Sequence, residues 1–365
     1  MKHVDHLMKD AVANHVFPGG VLLVSQDRNI VFFEAYGNAN LFSGRKMTQK
    51  TVFDLASLTK PLATALAVME LIRQSRLTLK DHLGAILPLF KNTDKEKIRV
   101  ENLLYHNSGF PDYRPYYESL KKIEPGQRKD ALREFLIKEP LIHPIGRQAV
   151  YSDLGFMVLC WVIEEVAGIG LDRFVTENIY HPLGLKTLFF LPVDKMPPDA
   201  EFAATERCPW RGILLEGVVH DDNAYSVGGI EGHAGLFGTA GDVSGLLSEL
   251  MAVYGGSVST GVFDIDLTRR FLRRNKHVGR TLGFDTPSSK GSSCGRYFSK
   301  KTVGHLGFTG TSFWMDLDRA IVVILLTNRI HPSRDNNRIK AFRPKLHDAV
   351  MENFANDRSP KCKLA

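Results

Sequence analysis

The sequence predicts an α+β protein: an α/β lobe whose antiparallel sheet of about five strands is flanked by N- and C-terminal helices, with an all-helical lobe inserted. Three observations carry this. Strand-like runs cluster at the two ends of the chain. Between them, from Thr51 to about Phe284, apolar stretches of helical length alternate with Pro- and Gly-rich loops. A length of 365 residues with 44% hydrophobic content is enough to bury a core for two lobes. The sheet is therefore split in sequence, with residues 1–50 and 285–365 assigned to the α/β lobe and 51–284 to the helical one.

Each element has its own signal. Val4, Leu7, Met8, Ala11, Val12 and Val16 recur at helical spacing, and the pattern stops at Phe17-Pro18-Gly19-Gly20. Runs 20–25 and 30–36 flank the polar turn Gln26-Asp27-Arg28-Asn29 and predict a hairpin. Helices are expected over 62–72, 131–137 and 154–166. After the Gly/Ser-rich loop 287–295, strands are expected over 296–303, 311–317 and 320–327, and a closing helix over 338–354. A cleft between two lobes is the natural place for a site.

Composition excludes several function classes. The formal charge of +7 rests on 47 basic against 40 acidic residues, a mild excess. The densest basic stretch, Arg269, Arg270, Arg273, Arg274 and Lys276, has helical spacing and reads as a solvated face, so no nucleic-acid partner is expected. Cys160, Cys208, Cys294 and Cys362 are far apart and form no CxxC pair, which predicts reduced thiols rather than a zinc site or a disulfide framework. No apolar run approaches the roughly 20 residues of a spanning helix, so no integral membrane association is expected. Charges interrupt the opening MKHVDHLMKD, which is not a secretory signal; the expected location is cytoplasmic, or periplasmic if a leader has been removed.

The chemistry-bearing pattern begins at Ser57-Leu58-Thr59-Lys60. A serine at a helix start with lysine three residues on puts hydroxyl and amine on one face, and free N–H groups there favour a developing oxyanion. Ser43 with Lys46 and Ser119 with Lys122 repeat the spacing, but on polar segments. Only Ser57 precedes an apolar helix body, Leu62, Leu66, Met69 and Ile72. The competing reading of Ser57 is a plain helix N-cap. Further on lie Tyr151-Ser152-Asp153, before an apolar helix, and His305-Leu306-Gly307 within 303–311.

Taken in order, Ser-x-x-Lys, Tyr-x-Asp and His-x-Gly resemble the serine β-lactamase and penicillin-binding protein superfamily. Blocks 103–111 and 228–236 resemble recurrent blocks of its class C-like branch, so the resemblance spans nearly the whole chain. It implies a serine hydrolase with Ser57 as nucleophile and Lys60 and Tyr151 sharing the proton work, lysine or tyrosinate being the base. It also implies a catalytic His305, and an oxyanion held by the N–H groups of Ser57 and Phe308. Asp153, Gly307, Phe308, Thr309, His106 and His233 are expected to bind substrate or wall the cleft.

Two positions depart from class C enzymes: His305 stands where they carry lysine and Asp153 where they carry asparagine. A histidine is mostly neutral at pH 7, and an aspartate accepts but does not donate. The expected substrates therefore move from β-lactams toward esters, amides or short peptides, with Arg329 a candidate to restore carboxylate binding. β-Lactamase, D-alanyl-D-alanine carboxypeptidase and a non-catalytic sensor of cell-wall fragments are the alternatives. Gly291-Ser292-Ser293-Cys294-Gly295 matches the letters of a nucleophile elbow but lacks the strand before it and the helix after it. Thirteen histidines include no His-Glu-x-x-His, and His220-Asp221-Asp222 with His233 reads as a turn or cleft wall, so no metal or cofactor is expected.

Overall fold

A computed structural model describes residues 1–257 and 260–354. Its main sheet is antiparallel and five-stranded, in the order β2-β1-β8-β7-β6. The strands are β1 (Gly19–Gln26), β2 (Asn29–Gly37), β6 (Val303–Leu306), β7 (Ser312–Asp316) and β8 (Ile321–Thr327). Strand β1 lies between its hairpin partner and β8, with Gly20 opposite Thr327. The hairpin turns at Asp27 and Arg28, both with positive φ, a backbone whose twist matches the flanking strands.

Because side chains alternate across a sheet, the strands serve two cores. Leu22, Val24, Val323 and Leu325 pack on the helices Lys2–Ala13 and Ile339–Glu352. Val21, Leu23, Ile324 and Leu326 face the other way, into the large core shared with the middle of the chain. The centre of that core is the helix Asp153–Ala167, whose residues from Leu154 to Ile163 are all buried.

Three local expectations are corrected. The strand predicted over 296–303 starts at Val303: the N–H groups of Arg296 and Ser299 donate to the carboxylates of Asp348 and Asp316 and are not available to a ladder. His305 consequently lies inside β6. The middle of the chain is not purely helical, since β3 (Phe53–Asp54), β4 (Phe189–Phe190) and β5 (Leu236–Gly238) form a small sheet in the order β3-β5-β4. The helix expected over 62–72 is wound as a π-helix over Lys60–Ala65 before becoming α over Leu66–Arg73. Such wide turns recur at functional positions because they re-aim side chains. Cys160, Cys208 and Cys294 are free and buried, while Cys362 lies outside the described residues.

Candidate active site

Ser57 sits in the one-turn 3₁₀ helix Ala56–Leu58, between β3 and the π-helix. Its hydroxyl caps nothing, which removes the N-cap reading. Ala56, just before it, is held at φ +48°, a left-handed backbone that is costly for a residue with a Cβ. The hold is explicit: Asp54 accepts from the Ala56 N–H at 2.8 Å and, with its other oxygen, from the His220 N–H at 2.7 Å.

Lys60 is completely buried one turn on. Its ammonium donates to Ser57 Oγ at 3.1 Å, to Asp153 Oδ1 at 2.6 Å and to the carbonyl of His233 at 3.3 Å. Asp153 is the first residue of the long buried helix, where the positive end of the peptide dipoles favours a carboxylate, and Ser152 caps that helix through Gly155 N–H. Tyr151 brings its ring within 4.8 Å of the ammonium, close enough for Lys60 and Ser57 both to act on its phenol. Burial pulls the lysine pKa down, but the carboxylate of Asp153 and the phenol of Tyr151 outweigh it, leaving Lys60 above its ordinary 10.5. Burial and Asp153 likewise push Tyr151 up, against the opposing pull of Lys60. The resting site is therefore an ammonium beside a neutral phenol.

His305 in β6 stacks toward Tyr151, ring centroids 5.8 Å apart, and is only 3% exposed. Burial and the nearby Lys60 hold it down at about 3. Its Nδ1 lies 2.9 Å from the carbonyl of Leu306, which can only accept, so the proton is on Nδ1 and Nε2 is an acceptor. His305 therefore offers a substrate no positive charge. An imidazole carbon shift that stays in its neutral position from pH 8 to about pH 4 in a histidine-labelled NMR titration is the expected result; a midpoint near the ordinary ~6.5 would contradict this geometry.

Gly307 follows the strand at a point where a Cβ would lie 2.0 Å from Thr311 Oγ1 and 2.7 Å from the carbonyl of Leu55, so glycine alone permits this approach to the serine loop. Phe308 projects outward, half exposed, with its ring between His220 and Arg329. Among the described residues, the backbone N–H groups of Ser57 and Phe308 have no protein acceptor. Two residues expected to meet substrate do something else. Thr309 is buried and donates its hydroxyl to the carbonyl of Asp54, fastening the end of β6 to the serine loop. His106 is buried behind Tyr151 at 4.7 Å, with Nδ1 accepting from Ser152 N–H; burial and the cations around it keep it neutral. It positions the tyrosine rather than walling the cleft.

His233 contributes its carbonyl to Lys60 and pairs Nε2 with Asp221 at 2.9 Å. Burial works against its charge, but Asp221 raises its pKa above the ordinary value. Arg329 is not a free cation: it donates to the carbonyls of Phe308, Arg334 and Asn336, bracing the loop after β6. The cation that does flank the site is Arg280, paired with Asp285 at 3.2 Å and 5.8 Å from the Tyr151 ring. It lies in a polar loop of no motif. Among the described residues no group of three or more His, Cys, Asp or Glu side chains is arranged to hold a metal, and no single helix is long and apolar enough to cross a membrane.

A five-stranded antiparallel sheet with helices on both faces, and a serine, lysine and tyrosine gathered beside its β6 edge, is the architecture of β-lactamase-like hydrolases. The chain belongs to the beta-lactamase family, whose family model matches residues 4–345. It is 34% identical over 360 residues to the N-acetylmuramyl-L-alanine amidase of Bacillus subtilis (strain 168), covering 91% of this chain and 81% of that one. It is also 33% identical over 353 residues to a putative D-alanyl-D-alanine carboxypeptidase of Salmonella heidelberg (strain SL476), covering 88% and 81%. Among solved structures, EstCE1, a hydrolase with promiscuous acyltransferase activity, superposes with a TM-score of 0.72 at 22% identity, covering 94% of this chain and 98% of that one. The octameric penicillin-binding protein homologue from Pyrococcus abyssi gives 0.74 at 18%, covering 96% and 77%. At such identities these two structures establish the fold.

Proposed function

We propose that the chain hydrolyses ester, amide or peptide bonds through an acyl-enzyme on Ser57, as an esterase or a D-amino-acid peptidase. The observation that carries this reading is the contact between Ser57 Oγ and an ammonium buried with Asp153 and Tyr151. From the fraction of molecules in which the Lys60–Tyr151 pair has first released a proton to solvent, Ser57 Oγ attacks the substrate carbonyl carbon while its proton passes to that pair; the leaving group departs with that proton. Water then adds to the acyl carbon, gives its proton to the same pair and releases the acid, restoring the serine. The free N–H groups of Ser57 and Phe308 are the donors for the oxyanion.

Substrate class follows from charge. A neutral His305 leaves the β6 edge without the fixed cation that a β-lactam carboxylate would use. The second reading, a carboxypeptidase acting on D-alanyl-D-alanine ends, is favoured by Arg280, a cation beside Tyr151, and by the name of the Salmonella relative. Turnover of a short-chain chromogenic ester, a D-alanyl-D-alanine peptide and a penicillin should be compared on one preparation. The ester or the peptide is expected to exceed penicillin by at least about tenfold in kcat/KM. Penicillin hydrolysed as fast as the best of them would overturn the assignment.

Asp153 raises the pKa of both candidate bases, Lys60 and Tyr151. Asp153→Asn therefore lowers both, and the acid limb of the kcat/KM profile is expected to move to lower pH whichever group takes the proton. An unmoved limb would mean that the limb reports neither group.

A further inference from the structure

A second concave region, remote from Ser57 in composition and charge, lies against the start of β6. It encloses about 940 Å³ between the helix Ile265–Leu272 with its following loop and the turn that carries Lys300 and Lys301. Seven basic side chains line it against one acidic residue, Asp266. Local structure accounts for some of them. Arg269 and Arg270 occupy the last turn of the helix, where cations complement its dipole, and Arg269 also holds the carbonyl of Tyr254. Arg274 donates to the carbonyl of Gly279, and Lys301 pairs with Asp318 at 2.8 Å.

Arg273, Lys276 and Lys300 are left over. None lies in a helix, none has a carboxylate within salt-bridge distance among the described residues, and they face one volume from two separate segments. Like charges gathered at one concavity repel, and an anion seated among them relieves that repulsion. The reading that spacing alone gives, a solvated helix face, accounts for the exposure of these side chains but not for the concavity they share with Lys300 and Lys301 of a separate segment.

We propose that this groove binds a base-free phosphate polyanion, a chain of phosphodiester or phosphoanhydride units. A volume of about 940 Å³ admits several linked phosphate units, and its arginines suit bidentate contacts to phosphate oxygens. Nucleic acid is the weaker fit, because Tyr254 is the single aromatic side chain in the lining on which a base could stack.

The test uses the full chain and labelled inorganic polyphosphate, with binding followed by fluorescence anisotropy across a salt series. Saturable binding at about 0.15 M salt is expected. R273E/K300E should weaken it at least about tenfold and flatten the plot of log K against log salt by about 1.5–2. K50E/K186E, which makes the same net charge change on exposed positions elsewhere, should behave as the unmodified chain does. Ester turnover should survive in both variants, and R273Q/K300Q gives the same comparison with a smaller perturbation if the glutamates impair folding. Equal weakening by the two glutamate pairs, no saturable binding, or tighter binding of single-stranded RNA than of polyphosphate would each overturn the proposal.

Discussion

Ser57→Ala is expected to lower turnover of the best substrate by at least about 10³-fold, about 4 kcal/mol of transition-state stabilisation, while leaving the fold intact. The side chain is half-buried and caps no helix, and it accepts a hydrogen bond from Lys60. Alanine removes that acceptor and little else. Lys60 keeps Asp153 and the His233 carbonyl, so no buried charge is stranded. The measurement that decides is the protein mass after incubation with a fluorophosphonate and with a slow ester. The unmodified chain should gain one adduct, and Ser57→Ala none. An adduct that persists in the alanine variant would remove Ser57 as the nucleophile and with it the proposed cycle.

Lys60→Met should cost as much in activity and, unlike the serine change, also cost stability. Methionine fills the volume, but the Asp153 carboxylate, whose side chain is 19% exposed, loses the only ion-pair partner it has among the described residues. Stranding a largely buried charge costs roughly 3–5 kcal/mol. Lys60→Met/Asp153→Asn removes both charges and should recover most of that stability while remaining inactive. The sign with pH is fixed. Lys60 has its pKa raised on folding, so its contribution is full below the ordinary 10.5 and is lost only as pH rises through the folded value. The loss of stability in Lys60→Met should therefore not change between about pH 7 and pH 9 in denaturant titrations. Equal stability of the single and double variants would show that stranding the Asp153 carboxylate carries no cost.

What the sequence made legible follows the range of the interactions. The hairpin, the long buried helix and the strands β7 and β8 carry their own periodicity, and each falls within a residue or two of its predicted span. The serine and lysine were readable because one helical turn fixes their separation. Tyr151 and His305 were readable only as members of an ordered set. Arg280 was not, because a cation in a polar loop looks the same whether it meets water or a tyrosine ring. Thr309 and His106 were assigned to the cleft from their neighbours in sequence, and their hydrogen bonds to Asp54 and Ser152 turn them away from it. Strands of two or three residues, such as β3 and β4, are too short for any alternation to register.

The pairing of β1 with β8 sets a timetable for synthesis. The N-terminal hairpin is finished after Gly37, yet the strand that covers the inner edge of β1 ends at Thr327. At a ribosomal rate of about 5–20 residues per second the hairpin waits roughly 15–60 s with that edge open. During that interval Val21, Leu22, Leu23 and Val24 form an apolar strand without its partner, the kind of segment that pairs with other chains. A nascent chain of this protein is thus a client for whatever shields unfinished sheets, and the exposure ends only when the far end of the message has been read.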